Sequence, residues 1–162
     1  MSSSMKLFRL KACLAATAFI ALMTGCDPNV VFEKNIVLPD NRWEMNNIVR
    51  LETEIKDTIP AYNVYINVRN AGGYQFSNLF LFLTTHFPAG EETRDTVELT
   101  LADEHGRCLG DGSGDIWDNR ILFKRGVRFP QSGLYRFEIQ QAMRVNPLPQ
   151  IMDAGLRIEK AE

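Results

Sequence analysis

From Val49 to Lys56 the chain alternates: Val49, Leu51, Thr53 and Ile55 take one parity, and Arg50, Glu52, Glu54 and Lys56 take the other. A period of two over such a stretch is the mark of a strand with one buried face. Tyr62 to Arg69 repeats it, with Tyr62, Val64, Ile66 and Val68 on the apolar side, and Asn70-Ala71-Gly72-Gly73 then turns the chain. Thr96 to Leu101, Tyr135 to Gln140 and Leu156 to Glu159 alternate in the same way. Leu79 to Leu83 is apolar at both parities, which predicts a central strand covered on both sides, continuing through His86 to Phe87. Ile121 to Phe123 and Val127 to Phe129 flank Lys124-Arg125-Gly126, where a bulge or bend is expected.

Two turns share one chemistry. Phe87-Pro88-Ala89-Gly90 and Phe129-Pro130-Gln131-Ser132-Gly133 each combine a proline, which presets φ, with a glycine that tolerates positive φ. Helix signals are weak; Asp118 to Phe123 and Gln141 to Arg144 are the best places for a single turn. About eight strands spaced for hairpins predict an all-β fold, a two-sheet antiparallel β-sandwich of jelly-roll or immunoglobulin-like type.

The first residues follow a different pattern. Lys6, Arg9 and Lys11 are the only charges before Asp27, an apolar stretch runs from Ala12 to Met23, and Thr24-Gly25-Cys26 closes it. A basic start, an apolar centre and a small-residue exit form a secretory signal. The apolar stretch makes roughly 18 Å of helix, too short for a hydrocarbon core of about 30 Å. Small residues before a cysteine suit lipoprotein processing, with Met23 standing where a branched aliphatic residue is usual. The expected organisation is therefore a signal over 1–25, a lipidated tether and edge segment over 26–47, and the sandwich over 48–162. Cys26 is the expected lipidation site, and acyl chains there hold the protein to a membrane.

Composition then narrows the function classes. The whole chain carries 18 basic and 20 acidic side chains. Losing Lys6, Arg9 and Lys11 makes the remainder more acidic still, which disfavours nucleic acid as a partner. Of the three cysteines, Cys13 leaves with the signal and Cys26 is acylated, so Cys108 is alone and reads as a small, buried or half-buried apolar residue.

Candidate chemistry is sparse. Asp103, Glu104, His105, Arg107, Asp111, Asp115 and Asp118 crowd a glycine-rich stretch, but their spacing matches no calcium loop, and a solvated connection is expected. His86 and His105 have no nucleophile motif near them, so no catalytic residue, metal ligand or cofactor is assigned and no small-molecule substrate is evident. Among the aromatics Trp43, Tyr65, Tyr74, Phe76 and Trp117, the candidate surface for a partner or a glycan is Trp117 with Tyr74 and Phe76.

Several segments together resemble the gliding-motility lipoprotein GldH family of Bacteroidetes: Gly25-Cys26-Asp27, Val31 to Asn35, Tyr62 to Asn70, Ser77 to Phe82, Leu101 to Asp103, Leu109 to Ile116, Phe137 to Arg144 and Gly155 to Lys160. The likeness spans the chain after the signal, with Cys108 standing where a bulkier aromatic residue is expected. The resemblance implies a non-enzymatic envelope lipoprotein at the outer membrane, on its periplasmic face. It further implies an accessory or scaffold role for gliding motility and the associated type IX secretion machinery, through contacts with other envelope proteins. The alternative is a glycan-binding sandwich module on the same anchor. Only the lipidated cysteine carries over from the family as a site, onto Cys26.

Overall fold

The computed structural model describes residues 27–161, so the signal segment 1–25 and Cys26 lie outside the described residues. The strands are β1 (Val30–Val37), β2 (Arg42–Trp43), β3 (Val49–Ile55), β4 (Tyr62–Ala71), β5 (Asn78–His86), β6 (Glu92–Thr100), β7 (Asp111–Ser113), β8 (Ile116–Val127), β9 (Gly133–Gln141), β10 (Leu148–Pro149) and β11 (Ile151–Lys160). They form a five-stranded sheet in the order β1-β11-β4-β8-β7, a four-stranded sheet in the order β3-β9-β5-β6, and a short β10-β2 pair. Every named pairing is antiparallel. The two large sheets close on one core, as the alternation predicts.

That core is built by single parities. Tyr62, Val64, Ile66 and Val68 of β4 and Ala154, Leu156 and Ile158 of β11 meet Leu79, Leu81 and Leu83 of β5 and Tyr135, Phe137 and Ile139 of β9. The bulge expected at Lys124-Arg125-Gly126 is present: the β4–β8 register shifts between Val64↔Lys124 and Tyr65↔Leu122, and again before Tyr62↔Val127. Gly126 takes φ +63 there, and its N–H donates to Asn63 Oδ1 at 3.0 Å. The two proline–glycine turns pack on each other, since a Cβ on Gly133 would lie 2.9 Å from Pro88 Cβ. Edge-to-face contacts of Tyr135 with Phe87 and Phe129 seal the core beneath them.

Four expectations are corrected. First, β5 is covered on one side only: Leu79, Leu81 and Leu83 are buried, while Phe80 is exposed and Phe82 half-buried on the outer face. The guanidinium of Arg94 lies 4.3 Å from the Phe82 ring centroid and replaces a covering layer. Second, neither expected helical turn forms. Asp118 to Phe123 is the middle of β8, where the partner residues Ile66 to Arg69 of β4 hold it extended, and Gln141 ends β9 with Ala142 to Arg144 following as loop. Third, the segment expected as tether and edge over 26–47 contains a complete edge strand, β1, paired from Val30↔Glu159 to Val37↔Asp153. Fourth, Trp43 is fully buried and no part of an exposed platform; its indole N–H donates to Asn47 O at 2.9 Å. The edge segment before Val49 is thus built into the sandwich, because Leu38 and Trp43 bury large apolar side chains there.

Candidate functional site

The most ordered polar surface is the outer face of the five-stranded sheet. Its residues are the solvent parity of β1, β11, β4 and β8, which the alternation alone would leave as separate exposed side chains. Instead they join. Arg157, on β11, donates to Glu33 Oε2 on β1 at 2.6 Å, to Glu159 Oε2 at 2.9 Å and to Asp27 Oδ2 at 2.7 Å. Glu33 also accepts from Arg120 on β8 at 3.0 Å and from the Asn67 amide on β4 at 3.0 Å. Beside this cluster Arg69 donates to Asp118 at 2.6 Å, with Asp153 3.4 Å away.

Glu33 and Arg120 are on strands separated by β11 and β4, so their ion pair needs an open path across two strands. Gly155 provides it. It pairs with Asn35 on one side and Asn67 on the other, and those two amides meet at 3.1 Å across it. A Cβ on Gly155 would lie 2.1 Å from Lys34 O and 2.3 Å from Asn35 Oδ1. The glycine's missing side chain therefore lets the network close over the sheet.

Charge and burial set the electrostatics. Burial alone would raise the Glu33 carboxyl, but hydrogen bonding to Arg157, the charges of Arg120 and Arg157, and the Asn67 amide outweigh it and hold its pKa below the ordinary value. Asp153 goes the other way: burial raises it, Arg69 only partly compensates, and Asp118 adds repulsion. Two buried acceptors here, Asn67 Oδ1 and Asp153 Oδ1, have no hydrogen-bond partner among the described residues. The Asn67 amide cannot simply be reversed, because its N–H₂ already serves two acceptors. Asn35, Asn67, Arg69, Asp118, Arg120 and Asp153 line a shallow cleft of about 390 Å³. Guanidinium, carboxylate and amide groups held in fixed positions can recognise a polar partner through directed hydrogen bonds.

The aromatic candidates are elsewhere and are not brought to one place. Tyr74 and Phe76 pack edge-to-face, centroids 5.6 Å apart, and line a cleft of about 400 Å³ with Cys108 and Asp103. Tyr74 is half-buried with its hydroxyl donating to Asn78 O at 2.9 Å, and burial places its pKa well above the ordinary phenol value. Trp117 does not line that cleft; it pairs with Asn70 and Gly112, and its ring lies so close over Gly112 that a Cβ there would be 2.2 Å from it. Tyr65 lines a separate cleft with Asp27, Asn63 and Arg125.

Two carboxylates of the acidic stretch are tied down by arginines, one locally and one across the sheet. Asp103 accepts from the His105 and Arg107 N–H groups and from the Arg107 side chain, and Asp118 is held by Arg69. Among the described residues no three His, Cys, Asp or Glu side chains converge as metal ligands would. His86 lies on the outer face of the four-stranded sheet, 3.2 Å from Glu92 and 3.8 Å from Glu138. Cys108 is a half-buried free thiol bridged through its backbone to Ala102.

The comparisons with known proteins bear on this same stretch of chain. Residues 30–158 match the family model described as GldH lipoprotein. The chain belongs to the GldH lipoprotein family. It is 35% identical over 150 residues to the gliding motility lipoprotein GldH homolog of Christiangramia forsetii, covering 88% of this chain and 91% of that protein. It is 31% identical over 148 residues to the gliding motility lipoprotein GldH of Flavobacterium johnsoniae, covering 87% and 91% respectively. The family is one of membrane-anchored envelope lipoproteins, and no helix among the described residues is long and apolar enough to cross a membrane. The VP2 subviral particle of infectious bursal disease virus overlaps the fold with a TM-score of 0.31 and 12% identity, over 79% of this chain and 30% of that one, and carries no functional argument.

The matched span begins at β1 and ends in β11, so it encloses Glu33, Asn67, Arg120, Gly155 and Arg157. Reading the strands singly missed these residues. An outward arginine or glutamate looks the same in sequence whether it is solvated or bound to three partners. The available signal was Gly155 in the middle of a strand pattern, where glycine marks close approach of another backbone.

Proposed function

We propose that this protein is a non-enzymatic accessory or scaffold lipoprotein of the gliding-motility and type IX secretion machinery, with its lipid on Cys26 and the outer face of the five-stranded sheet as its protein-binding surface. The observation that carries the reading is the network itself. Arg157 is almost fully buried on the side of the sheet that faces away from the core, and the side chains around it are fixed before any partner arrives. Preorganised polar groups bind with less loss of side-chain entropy than solvated ones. The gliding-motility names of the relatives support the cellular context, and the reading puts the anchored domain at the outer membrane, on the periplasmic face in preference to the cell surface.

Two measurements test this. Cys26→Ser should release the protein from the membrane fraction and abolish palmitate labelling; membrane retention without label would refute the anchor. Affinity capture of the tagged, lipidated protein from membranes should recover envelope proteins of this machinery. Arg120→Gln, which removes the half-exposed cation of the cleft but leaves an amide to face Glu33, should reduce that recovery several-fold, and the melting temperature of the variant shows how much of the loss comes from the Glu33 pair.

A glycan-binding module on the same anchor is the second reading, favoured by the amide, guanidinium and carboxylate groups lining the outer cleft and by the half-exposed Trp117. Retention on polysaccharide that disappears in Trp117→Ala, with no protein recovered from membranes, would establish it over the scaffold.

A further inference from the structure

The register of the strands divides the sandwich into two ends. At one end lie the start of β1, the end of β11, the start of β4 and the end of β8, through Val30↔Glu159, Tyr62↔Lys160 and Tyr62↔Val127. The β3–β4 loop and the Gly133 turn close the same end in the other sheet. A lipid on Cys26 would sit one peptide unit, about 3.8 Å between Cα atoms, from Asp27. Asp27 is not the free end of a linker. Its carboxylate is bound by Arg157 at 2.7 Å, its carbonyl accepts from Val30 N–H, and Asn29 O accepts from Lys160 N–H. The anchor therefore has almost no tether.

The surface around that attachment has a matching chemistry. In the β3–β4 loop, Ile59 is 83% exposed. The loop is nonetheless held in place: Asp57 O accepts from the Tyr62 hydroxyl, Asp57 Oδ1 from Ile59 N–H, and Ala61 O from Ala161 N–H. Lys56, Arg125, Arg128 and Lys160 are exposed around it. Most carboxylates there already face a cation: Asp27 is bound to Arg157, Glu54 lies 3.7 Å from Lys56, and Asp57 lies 3.9 Å from Lys160. Glu91 and Glu92 lie on the adjacent turn, Glu92 3.2 Å from His86. The opposite end presents Asp40, Glu44, Glu104, Asp111 and Asp115, all exposed, against Arg42, Arg107 and Arg144.

We infer that the domain docks end-on against the lipid surface that holds its anchor, with Ile59 entering the headgroup region and the exposed Arg125 and Arg128, which have no carboxylate in ion-pair range among the described residues, facing lipid phosphates. An apolar tip flanked by basic side chains is the composition that binds an anionic interface, and the short attachment makes the contact effectively intramolecular. The acidic end then points away from the membrane, and the outer sheet face stands roughly perpendicular to it, open to partners in the periplasm. This inference rests on the lipid being carried by Cys26.

The test uses the full lipidated chain with Cys108→Ser, carrying a nitroxide at Ile59→Cys or, at the far end, Leu109→Cys. The protein is reconstituted into vesicles of phosphatidylethanolamine with phosphatidylglycerol. The Ile59 label should collide several-fold more with oxygen, relative to an aqueous nickel chelate, than the Leu109 label does. That contrast should fall when a flexible Gly/Ser linker is inserted between Cys26 and Asp27. Equal, water-like values at both positions in protein that still floats with the vesicles would overturn the docking and leave the anchor standing. Protein that neither floats nor takes up palmitate would overturn both.

Discussion

Gly155→Ala is expected to lower the melting temperature by roughly 10 °C, corresponding to about 3 kcal/mol. The added Cβ would meet Lys34 O at 2.1 Å, and a backbone carbonyl in the middle of a paired strand cannot rotate aside as a side-chain tip can. Either β1 moves away from β11, breaking their ladder, or both strands bend. The Asn35–Asn67 contact crosses the same gap and is lost with it. Gly126→Ala is the internal control. Gly126 has φ +63, and a Cβ added there would have nothing within 4 Å, so that variant bears only the left-handed backbone cost of about 1 kcal/mol. Thermal unfolding followed by circular dichroism separates them. If Gly155→Ala melts no lower than Gly126→Ala, the close approach of β1 is not what holds the network.

Arg157→Ala is the second large effect. The Arg157 side chain is 10% exposed and leaves three carboxylates facing one another when removed, with Glu159 20%, Glu33 33% and Asp27 47% exposed. Breaking a buried pair costs about 3–5 kcal/mol; water reaches these carboxylates, so about 2–3 kcal/mol is expected here. The pH dependence distinguishes this cause from lost packing. In the wild type Glu33 is held below its ordinary value, so the folded state gives up its proton more readily than the unfolded chain. The stability this supplies is present above the unfolded pKa of 4.5 and disappears as pH falls through the lower folded value. Without Arg157 the largest lowering contribution is lost, although Arg120 and the Asn67 amide remain, so the Glu33 pKa rises from its wild-type position and acid relieves the crowded carboxylates of the variant. The difference in melting temperature between the two proteins should therefore shrink below pH 4.5. A constant difference across that range would assign the loss to packing of the arginine stem.

Much of the fold is legible in the chain. Alternation over Val49 to Lys56, Tyr62 to Arg69 and Tyr135 to Gln140 identifies buried faces because a sheet with one solvated side admits apolar residues at one parity only. The proline–glycine turns and the bulge at Gly126 are legible for a similar reason, since few residues satisfy their backbone requirements. The reading fails where two environments select the same residues. Phe80 and Phe82 look like a second buried face, yet Phe82 is covered by Arg94 and Phe80 lies open to solvent. The segment before Val49 has no alternation long enough to declare that it is a full edge strand. Trp43, Tyr74, Phe76 and Trp117 offer no sign of which are buried, because an aromatic ring suits a core as well as a surface.

Local chemistry was enough to divide each strand into an inward and an outward side, because that is a property of neighbouring residues, while the family was legible as a resemblance carried by segments spread along the chain. What the outward sides do emerged only once the sheets were assembled. Glu33 and Arg157 are far apart along the chain, and Arg120 is distant from both, yet β1, β11, β4 and β8 bring the three together over Gly155. Assembly likewise binds Asp27, the residue after Cys26, to the last strand instead of leaving it free. Both outcomes depend on strand order, and strand order follows from which buried faces fit together best, a contest among distant segments that no local pattern records.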